Sequence, residues 1–314
     1  MTDLHPQLAN ALVMVRPVDF GFNEETALDN EFQHKPSNAN QVRENALVEF
    51  DNMVTNLRAA GITVLVLEKN ENQAVTPDAV FPNNWFSTNQ KGDLIVYPMF
   101  AENRRQERRI DELEALLAHH NYQVNQRQIL GDLNEKERIL EGTGVLVIDH
   151  EQGTLYASES ERCHPEQLAH FQTKHGYKKS YLFQTKSSKG KPIYHTNVMM
   201  SVGRGFAVIC NECFANPDEY QQVKQALSQT REVIEISLRQ MEQHFCGNIL
   251  HVCNNEGEPL IVMSQQAYDG FNALQKASLE KYGRLLPNPI NTIEDVGGGS
   301  ARCMIAEVFL PSLN

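Results

Sequence analysis

Hydrophobic positions in this chain switch repeatedly between a period of two and a helical period. Residues 78–99 hold two apolar and aromatic runs on either side of the polar stretch NQKGD, which predicts a β-hairpin. Residues 102–120 then carry apolar side chains at helical spacing with charges on the opposite face, and YQVNQRQI returns as a strand. The unit predicted here is strand, strand, helix, strand.

The same order of elements recurs along the chain. It begins again with GTGVLVIDHEQGTLYAS, with HTNVMMSVGRGFAVICNE and with GNILHVCNNEGEPLIVMS. A fifth unit forms if RCMIAEVFLP pairs with ALVMVRPVDF, followed by the helical residues 39–61 and the strand ITVLVLE. Length alone favours two domains. Because the fifth unit joins both ends of the chain, we predict one domain spanning residues 1–314.

One residue stands at the entrance to each predicted repeat, at separations of 53 to 63 residues. These five residues are Asp78, Glu141, His195, Asn248 and Cys303. If the repeats are arranged radially, equivalent strand ends converge on one axis and bring these side chains together. Cys303 follows the run Gly297–Gly299, whose small residues let the backbone approach a crowded pocket. A lone buried cysteine or histidine is more often structural, but the periodic placement favours function.

Composition and charge restrict the function classes. The net charge of -12 argues against non-specific nucleic-acid binding, which needs a basic face, and is compatible with small cationic or zwitterionic substrates. No apolar run approaches the 18 to 20 residues or so of a membrane helix. The N-terminus has no basic region followed by an apolar stretch, so we expect a cytoplasmic protein that does not contact membranes.

The six cysteines show no regular disulfide spacing. The pair Cys210 and Cys213 forms a CxxC motif inside the hydrophobic run FAVICNECF, without a second pair at zinc spacing. We therefore expect no metal site and no organic cofactor.

Several motifs make the chain similar to a known superfamily. PDAVFPNNW, LEGTG, HTN and GGGSARCM resemble the guanidino-group-modifying enzymes, which include arginine deiminases, dimethylarginine hydrolases and amidinotransferases. Within that superfamily the chain is most similar to the citrulline-utilisation hydrolases. The resemblance implies an α/β fold, the five-bladed propeller called a pentein, and the count of ββαβ repeats supports it independently.

The resemblance also implies roles for four residues. Cys303 would attack the central carbon of a guanidino or ureido group, and His195 would serve as general acid and base. Glu141 and Asp78 would accept hydrogen bonds from the planar nitrogens and orient the substrate. This chemistry needs a strong nucleophile because the substrate carbon is resonance-stabilised, and the reactive form of cysteine is the thiolate.

One departure from the superfamily pattern concerns substrate choice. Arginine deiminases commonly carry His-x-Asp where this chain has His195-Thr196-Asn197, and an amide can donate a hydrogen bond to a neutral ureido carbonyl. FPNNW resembles the F-x-x-N stretch of arginine dihydrolases, in which Asn84 matches the asparagine associated with ornithine release. Both favour citrulline, cleaved to ornithine, carbon dioxide and ammonia. An Asn197 that merely binds backbone would look the same in sequence.

An amino acid substrate also needs its α-carboxylate held. Arg104 and Arg105 are candidates because a guanidinium matches a carboxylate in a two-point fork. They could equally form the solvated face of a helix N-terminus.

Other functions stay open at this point. Arginine deimination or dihydrolysis and dimethylarginine hydrolysis are the nearest alternatives, followed by an amidinotransferase and by a propeller without catalysis. The expected partner is a small amino acid substrate, and the resemblance leaves a homodimer open.

Overall fold

The computed structural model describes residues 6–70, 73–132 and 136–313. The strands are β1 (Ala11–Val15), β2 (Thr63–Leu67), β3 (Phe86–Thr88), β4 (Asp93–Val96), β5 (Gln126–Ile129), β6 (Val147–Asp149), β7 (Thr154–Ser158), β8 (Lys179–Phe183), β9 (Met200–Val202), β10 (Phe206–Cys210), β11 (Glu232–Ile236), β12 (Leu250–Cys253), β13 (Pro259–Ser264), β14 (Arg284–Asn288) and β15 (Ala306–Glu307).

Ten α-helices lie between these strands within the described residues. They are α1 (Ala39–Ala59), α2 (Ile110–His119), α3 (Gly142–Val145), α4 (Pro165–His175), α5 (Thr196–Met199), α6 (Pro217–Ser228), α7 (Leu238–His244), α8 (Gln265–Gly270), α9 (Ala273–Glu280) and α10 (Asn291–Gly297). Short 3-10 helices occur at Thr26–Leu28, Pro82–Asn84 and Asn103–Glu107.

The strands form five sheets of three, and each sheet repeats one arrangement. In every sheet the central strand pairs antiparallel with one neighbour and parallel with the other. Four sheets come from consecutive chain segments in the predicted order strand, strand, helix, strand.

The fifth sheet joins the two ends of the chain, as predicted. β15 pairs antiparallel with β1, with Leu12 opposite Glu307 and Val13 opposite Ala306, and β2 pairs parallel with β1 on the other side. Residues far apart in sequence therefore meet near the last strand.

Each long helix covers a sheet with one apolar stripe. In α1 the side chains of Val42, Ala46, Phe50 and Leu57 are buried at helical spacing, and the Asn38 side chain caps the N-terminus by accepting from Gln41 N. Burying a side chain such as Phe50 contributes roughly 1.5–3 kcal/mol. Amphipathic packing thus fixes the sheets from which the loops of the site project.

The predicted entrance residues do not all lead directly into a strand. Glu141 is followed by the turn α3 and His195 by the turn α5, and the 3-10 helix Pro82–Asn84 separates Asp78 from β3. Gly142 explains the first turn, because it has a positive φ and a Cβ there would lie 2.3 Å from the Asn83 carbonyl oxygen.

The structure also bears on the predictions about cysteines, metal sites and membrane helices. The six cysteines are free and buried, and Cys213 Sγ donates to the Cys210 carbonyl. In the described ranges no group of three or more His, Cys, Asp or Glu side chains could hold a metal ion. None of the helices in these ranges combines the length and apolar character that crossing a membrane requires.

Candidate active site

A small cavity lies where the loops before several first strands meet. Five predicted residues line it: Asp78, Asn84, Arg104, His195 and Cys303. The remaining lining comes from Thr26, Asn30, Phe81, Arg162, Tyr194, Gly297 and Gly299. The structure therefore brings together side chains that are up to 277 residues apart in sequence, from Thr26 to Cys303.

Glu141 lies directly beside His195. The His195 Nε2 atom is 2.8 Å from Glu141 Oε2, which also accepts from Arg162 Nη1 at 3.3 Å, while Phe100 N donates to Glu141 Oε1 at 2.9 Å. Burial opposes ionisation of Glu141, but Arg162, His195 and Arg104 together hold its pKa below the ordinary value. Glu141 is thus an ionised acceptor at neutral pH.

His195 is neutral in the same pair. Burial lowers the pKa of His195 to about 4, even though Glu141 acts in the opposite direction. Since a carboxylate can only accept, the Nε2 atom of the neutral ring carries the proton. Nδ1 is therefore the nitrogen that can take a proton from a reacting group.

Cys303 is held in a turn that follows α10 and the glycine run. Its N–H donates to the Ser300 carbonyl at 2.9 Å, and its side chain is buried. Asn248 Nδ2 lies 3.2 Å from Sγ, and Sγ lies 3.6 Å from Asn197 Oδ1. Burial raises the pKa of the thiol.

Gly299 makes room for this turn. A Cβ at Gly299 would lie 3.0 Å from the Phe81 ring and 3.4 Å from Cys303 Cβ. The close approach of backbone and ring at the pocket therefore requires a residue without a side chain, as the sequence predicts for the glycine run.

Arg104 fixes the orientation of the Asn84 amide. Arg104 Nη1 donates to Asn84 Oδ1 at 2.9 Å, and Nε and Nη2 each donate to the Glu107 carboxylate at 2.9 Å. Because arginine only donates, the atom that it contacts must be the oxygen. Asn84 Nδ2 then has no hydrogen-bond partner among the residues that the structure describes, although it is buried.

The Asn84 amide nitrogen and the His195 ring approach each other across Gly144. A Cβ placed on Gly144 would lie 2.4 Å from Asn84 Nδ2 and 3.0 Å from His195 Nδ1. An unpaired N–H donor and a neutral imidazole therefore lie close to each other beside Gly144.

Asp78 faces the segment around the Thr26–Leu28 helix. Its Oδ2 accepts from Asn23 Nδ2 at 2.7 Å and from Thr26 Oγ1 at 2.9 Å, and Arg104 Nε is 3.9 Å away. The other oxygen, Oδ1, is buried and without a partner in the described part of the chain. It is an acceptor available to a ligand N–H.

Like Glu141, two further predicted residues lie outside the cavity lining. Arg105 is half-buried, and its Nε donates to the Met99 carbonyl at 3.1 Å. Asn197 Nδ2 donates to the Thr143 carbonyl at 3.2 Å, so its amide nitrogen binds backbone.

Arg162 is a buried cation that sequence reasoning missed. Its Nε and Nη2 atoms donate to the two oxygens of Asp29 at 2.7 and 2.6 Å, Nη1 reaches Glu141, and its guanidinium lies 5.0 Å from the Tyr194 ring centre. Arg162 is not at the entrance position of any predicted repeat. No signal in the local sequence ESERCHP distinguishes it from a solvated charge.

The family model described as N,N dimethylarginine dimethylhydrolase, eukaryotic, matches residues 16–310. No curated protein sequence matches the chain.

Solved structures share its fold at low sequence identity. An arginine dihydrolase from cyanobacteria, ArgZ, is 14% identical with a TM-score of 0.71; the match covers 96% of this chain and 41% of ArgZ, so this chain spans about two fifths of that protein. The N-terminal domain of ArgZ bound to substrate is 14% identical with a TM-score of 0.69, and 95% and 97% of the two chains are covered.

A dimethylarginine dimethylaminohydrolase in adduct with S-methyl-L-thiocitrulline has the same fold. It is 16% identical with a TM-score of 0.65, and the match covers 96% of this chain and 100% of the other. The fold is therefore the mixed α/β fold of the penteins.

Proposed function

This chain belongs to the family described as eukaryotic N,N-dimethylarginine dimethylhydrolases, within the guanidino-group-modifying superfamily, and from that premise we propose that it is a cysteine hydrolase acting on citrulline. The products are ornithine, carbon dioxide and ammonia. The observation that carries the choice of citrulline is the buried, unpaired Nδ2 group of Asn84 beside His195, within the described residues.

The Asn84 amide distinguishes a ureido group from a guanidinium. A ureido group presents a carbonyl oxygen, which accepts a hydrogen bond, whereas every hydrogen-bonding atom of a guanidinium is a donor. Leaving a buried donor unpaired costs about 1–3 kcal/mol, so a ligand that satisfies Asn84 Nδ2 is favoured over one that does not. Arg104 prevents the amide from turning over to offer its oxygen instead.

The first half of the reaction transfers the carbamoyl group to the enzyme. Cys303 Sγ attacks the ureido carbon while its proton passes to His195 Nδ1, and the carbonyl oxygen becomes an oxyanion that Asn84 Nδ2 stabilises. The C–N bond to the ornithine side chain then breaks as His195 returns the proton to that nitrogen. Ornithine leaves, and an S-carbamoyl enzyme stays behind.

The second half consumes water. His195 Nδ1 accepts a proton from water, and the hydroxyl oxygen attacks the carbamoyl carbon. The bond to Cys303 breaks, the sulfur recovers a proton from His195, and carbamate is released. Carbamate decomposes to carbon dioxide and ammonia, so the overall reaction adds one water to citrulline.

The contacts refine the roles of the two carboxylates. Both oxygens of Glu141 are occupied by His195, Arg162 and Phe100, which favours a role in orienting the imidazole rather than in holding the substrate. The free Oδ1 of Asp78 is suited to a substrate N–H or ammonium group.

Arg104, Arg105 and Asn197 are the remaining polar residues with proposed roles. Arg104 orients Asn84. Binding of the substrate α-carboxylate by Arg104 or Arg105 stays a prediction. The Asn197 nitrogen donates to the Thr143 carbonyl, so Asn197 contacts Cys303 Sγ through its Oδ1 atom.

The test is to incubate the purified chain separately with citrulline, arginine and N,N-dimethylarginine, and to identify products by mass spectrometry beside a Cys303→Ala control. Ornithine from citrulline supports the proposal. Citrulline accumulating from arginine or from dimethylarginine, with no turnover of citrulline, overturns it. Asn84→Asp, which replaces the donor by an acceptor, should move the preference towards arginine by about tenfold or more.

Family membership favours one second candidate, hydrolysis of N,N-dimethylarginine to citrulline and dimethylamine. It uses the same nucleophile and the same acid and base, and it differs in requiring an acceptor where Asn84 Nδ2 stands. An amidinotransferase and a propeller without catalysis remain as alternatives from the sequence. Adding an amine acceptor to the arginine incubation separates them, since the former then releases ornithine and an amidino-amine and the latter gives no product.

We also propose that the five sheets are the blades of one five-bladed α/β propeller, so that residues 1–314 form a single catalytic domain. The uniform order of strands and the pairing of the chain ends support this. A cytoplasmic location and a homodimer stay predictions.

A further inference from the structure

We propose that Asn248 is a further catalytic residue: its Nδ2 group donates to Cys303 Sγ and stabilises the negative charge on that sulfur during the reaction. The inference rests on the proposed function in so far as Cys303 is the nucleophile. Asn248 contacts the reacting atom itself, at 3.2 Å.

The orientation of the Asn248 amide follows from its other contacts. Its Oδ1 accepts from Arg302 N at 3.0 Å, and a backbone N–H requires an oxygen as its partner. Its Nδ2 also donates to the Asn197 carbonyl at 2.9 Å. The two amide hydrogens are therefore directed at the Asn197 oxygen and the Cys303 sulfur, and the residue is completely buried.

These contacts hold the donor in place before the reaction begins. One side of the amide is tied to the turn that carries Cys303, and the other to the turn α5 that follows His195. A donor fixed by two backbone contacts needs no reorganisation when charge develops on the sulfur, which is the condition for electrostatic stabilisation in an active site.

Burial of the sulfur favours the neutral thiol and raises the pKa of Cys303. A backbone hydrogen bond at Ser300 acts most strongly in the opposite direction, followed by the Asn248 amide. Arg302 opposes the effect of burial weakly, because its guanidinium is paired with Glu307 at 2.8 Å. Tyr194 and His195 line the same cavity and are neutral at pH 7, since burial raises the pKa of the first and lowers that of the second.

The sulfur carries charge twice in the proposed reaction, when it attacks and when it leaves the S-carbamoyl group. A hydrogen bond to an ionised acceptor is about twice as strong as one between neutral groups. Asn248 therefore stabilises the thiolate more than the thiol, and it contributes to both halves of the reaction.

The experiment measures the reactivity of Cys303 separately from turnover. Iodoacetamide alkylation of the full chain is followed at Cys303 by peptide mass spectrometry across a pH series, for wild type, Asn248→Leu and Asn248→Asp. Leu removes the donor at similar volume, and Asp keeps the oxygen that accepts from Arg302 N. We expect the pH midpoint of alkylation to rise by about one unit in both, which is about a tenfold lower rate below the midpoint.

Asn288→Leu is the matched control. Asn288 is also completely buried, and its Nδ2 donates to two backbone carbonyls, those of Met263 and Leu286, but it has no contact with the sulfur. The control should lose stability without moving the midpoint. An unchanged midpoint in either folded Asn248 variant overturns the inference, as does an equal shift in the control.

Turnover separates this inference from the proposed function. With citrulline, kcat should fall by about tenfold or more in Asn248→Leu while KM changes by less than about threefold. If the wild type does not turn over citrulline but the midpoint moves, the proposed substrate is wrong and the role of Asn248 stands. If citrulline is turned over and the midpoint does not move, the role of Asn248 fails alone.

Discussion

Neutral His195 donates its Nε2 proton to the ionised Glu141 carboxylate across 2.8 Å, in a pair that is buried on all sides. The contact is a hydrogen bond from a neutral ring, because burial keeps the pKa of His195 at about 4. It fixes which ring nitrogen faces the substrate. It also makes the stability of the protein depend on pH in a definite window.

Acidification should destabilise the fold through His195. The unfolded ring has a pKa near 6.5 and the folded ring about 4, so the unfolded state binds more protons between these values and the free energy of unfolding falls as pH drops from 6.5 to 4. The loss should reach about 3 kcal/mol at pH 4. Urea unfolding at several pH values measures it.

His195→Gln keeps a donor for Glu141 and does not titrate. Its stability should therefore fall less steeply than that of wild type in this window. Equal slopes for His195→Gln and wild type would contradict the lowered pKa of His195. Below pH 4.5 the protonation of Glu141, whose folded pKa is lowered, takes over as the destabilising event.

Cys303→Ala should abolish turnover and leave the fold intact, because the substitution removes the nucleophile and only a small volume. Residual activity should lie below about one thousandth of wild type. Product analysis and circular dichroism measure the two properties. Cys253→Ala, which removes another buried thiol, is the control and should stay active; a Cys303→Ala enzyme with substantial turnover would rule out the covalent route.

Gly144→Ala should inactivate the enzyme. The new Cβ would stand 2.4 Å from Asn84 Nδ2 and 3.0 Å from the His195 ring, so one of these groups must move. A displacement of this size costs on the order of 100-fold in kcat/KM. At Gly21 a Cβ would meet its nearest neighbour at 3.9 Å, so Gly21→Ala should behave as wild type. Comparable kinetics for the two variants would show that the contact at Gly144 is not critical.

Arg104→Ala and Arg105→Ala should differ in stability. Removing Arg104 leaves buried Glu107 without its cation, and breaking a buried ion pair costs about 3–5 kcal/mol. Burial raises the pKa of Glu107 to about 7 despite Arg104, so the loss should grow as pH rises and Glu107 ionises.

Arg105 is half-buried and its Nε contacts a backbone carbonyl, so Arg105→Ala should cost less than about 1 kcal/mol. Chemical denaturation at pH 6 and pH 8 distinguishes the two variants. Glu107→Gln in the Arg104→Ala background should recover part of the loss, because it removes the uncompensated charge; no recovery would locate the effect elsewhere.

The repeat order and the pairing of the chain ends were predictable from sequence. Alternation with a period of two and helical spacing are local properties, and burial of an apolar stripe is what each element needs. The same pattern directs residues such as Glu141, His195 and Cys303 towards one place, since they occupy the ends of related segments.

The tertiary structure alone decided which partner each polar side chain takes. Nothing local distinguishes Arg162 from a surface arginine, and its pairing with Asp29 spans 133 residues. The orientation of the Asn84 amide depends on Arg104, and the contact of Asn248 with Cys303 depends on two turns from different repeats. Hydrogen bonds are directional and short-ranged, so they form only where the packed elements place two side chains close together in the right orientation. The periodicity of the sequence does not determine that placement.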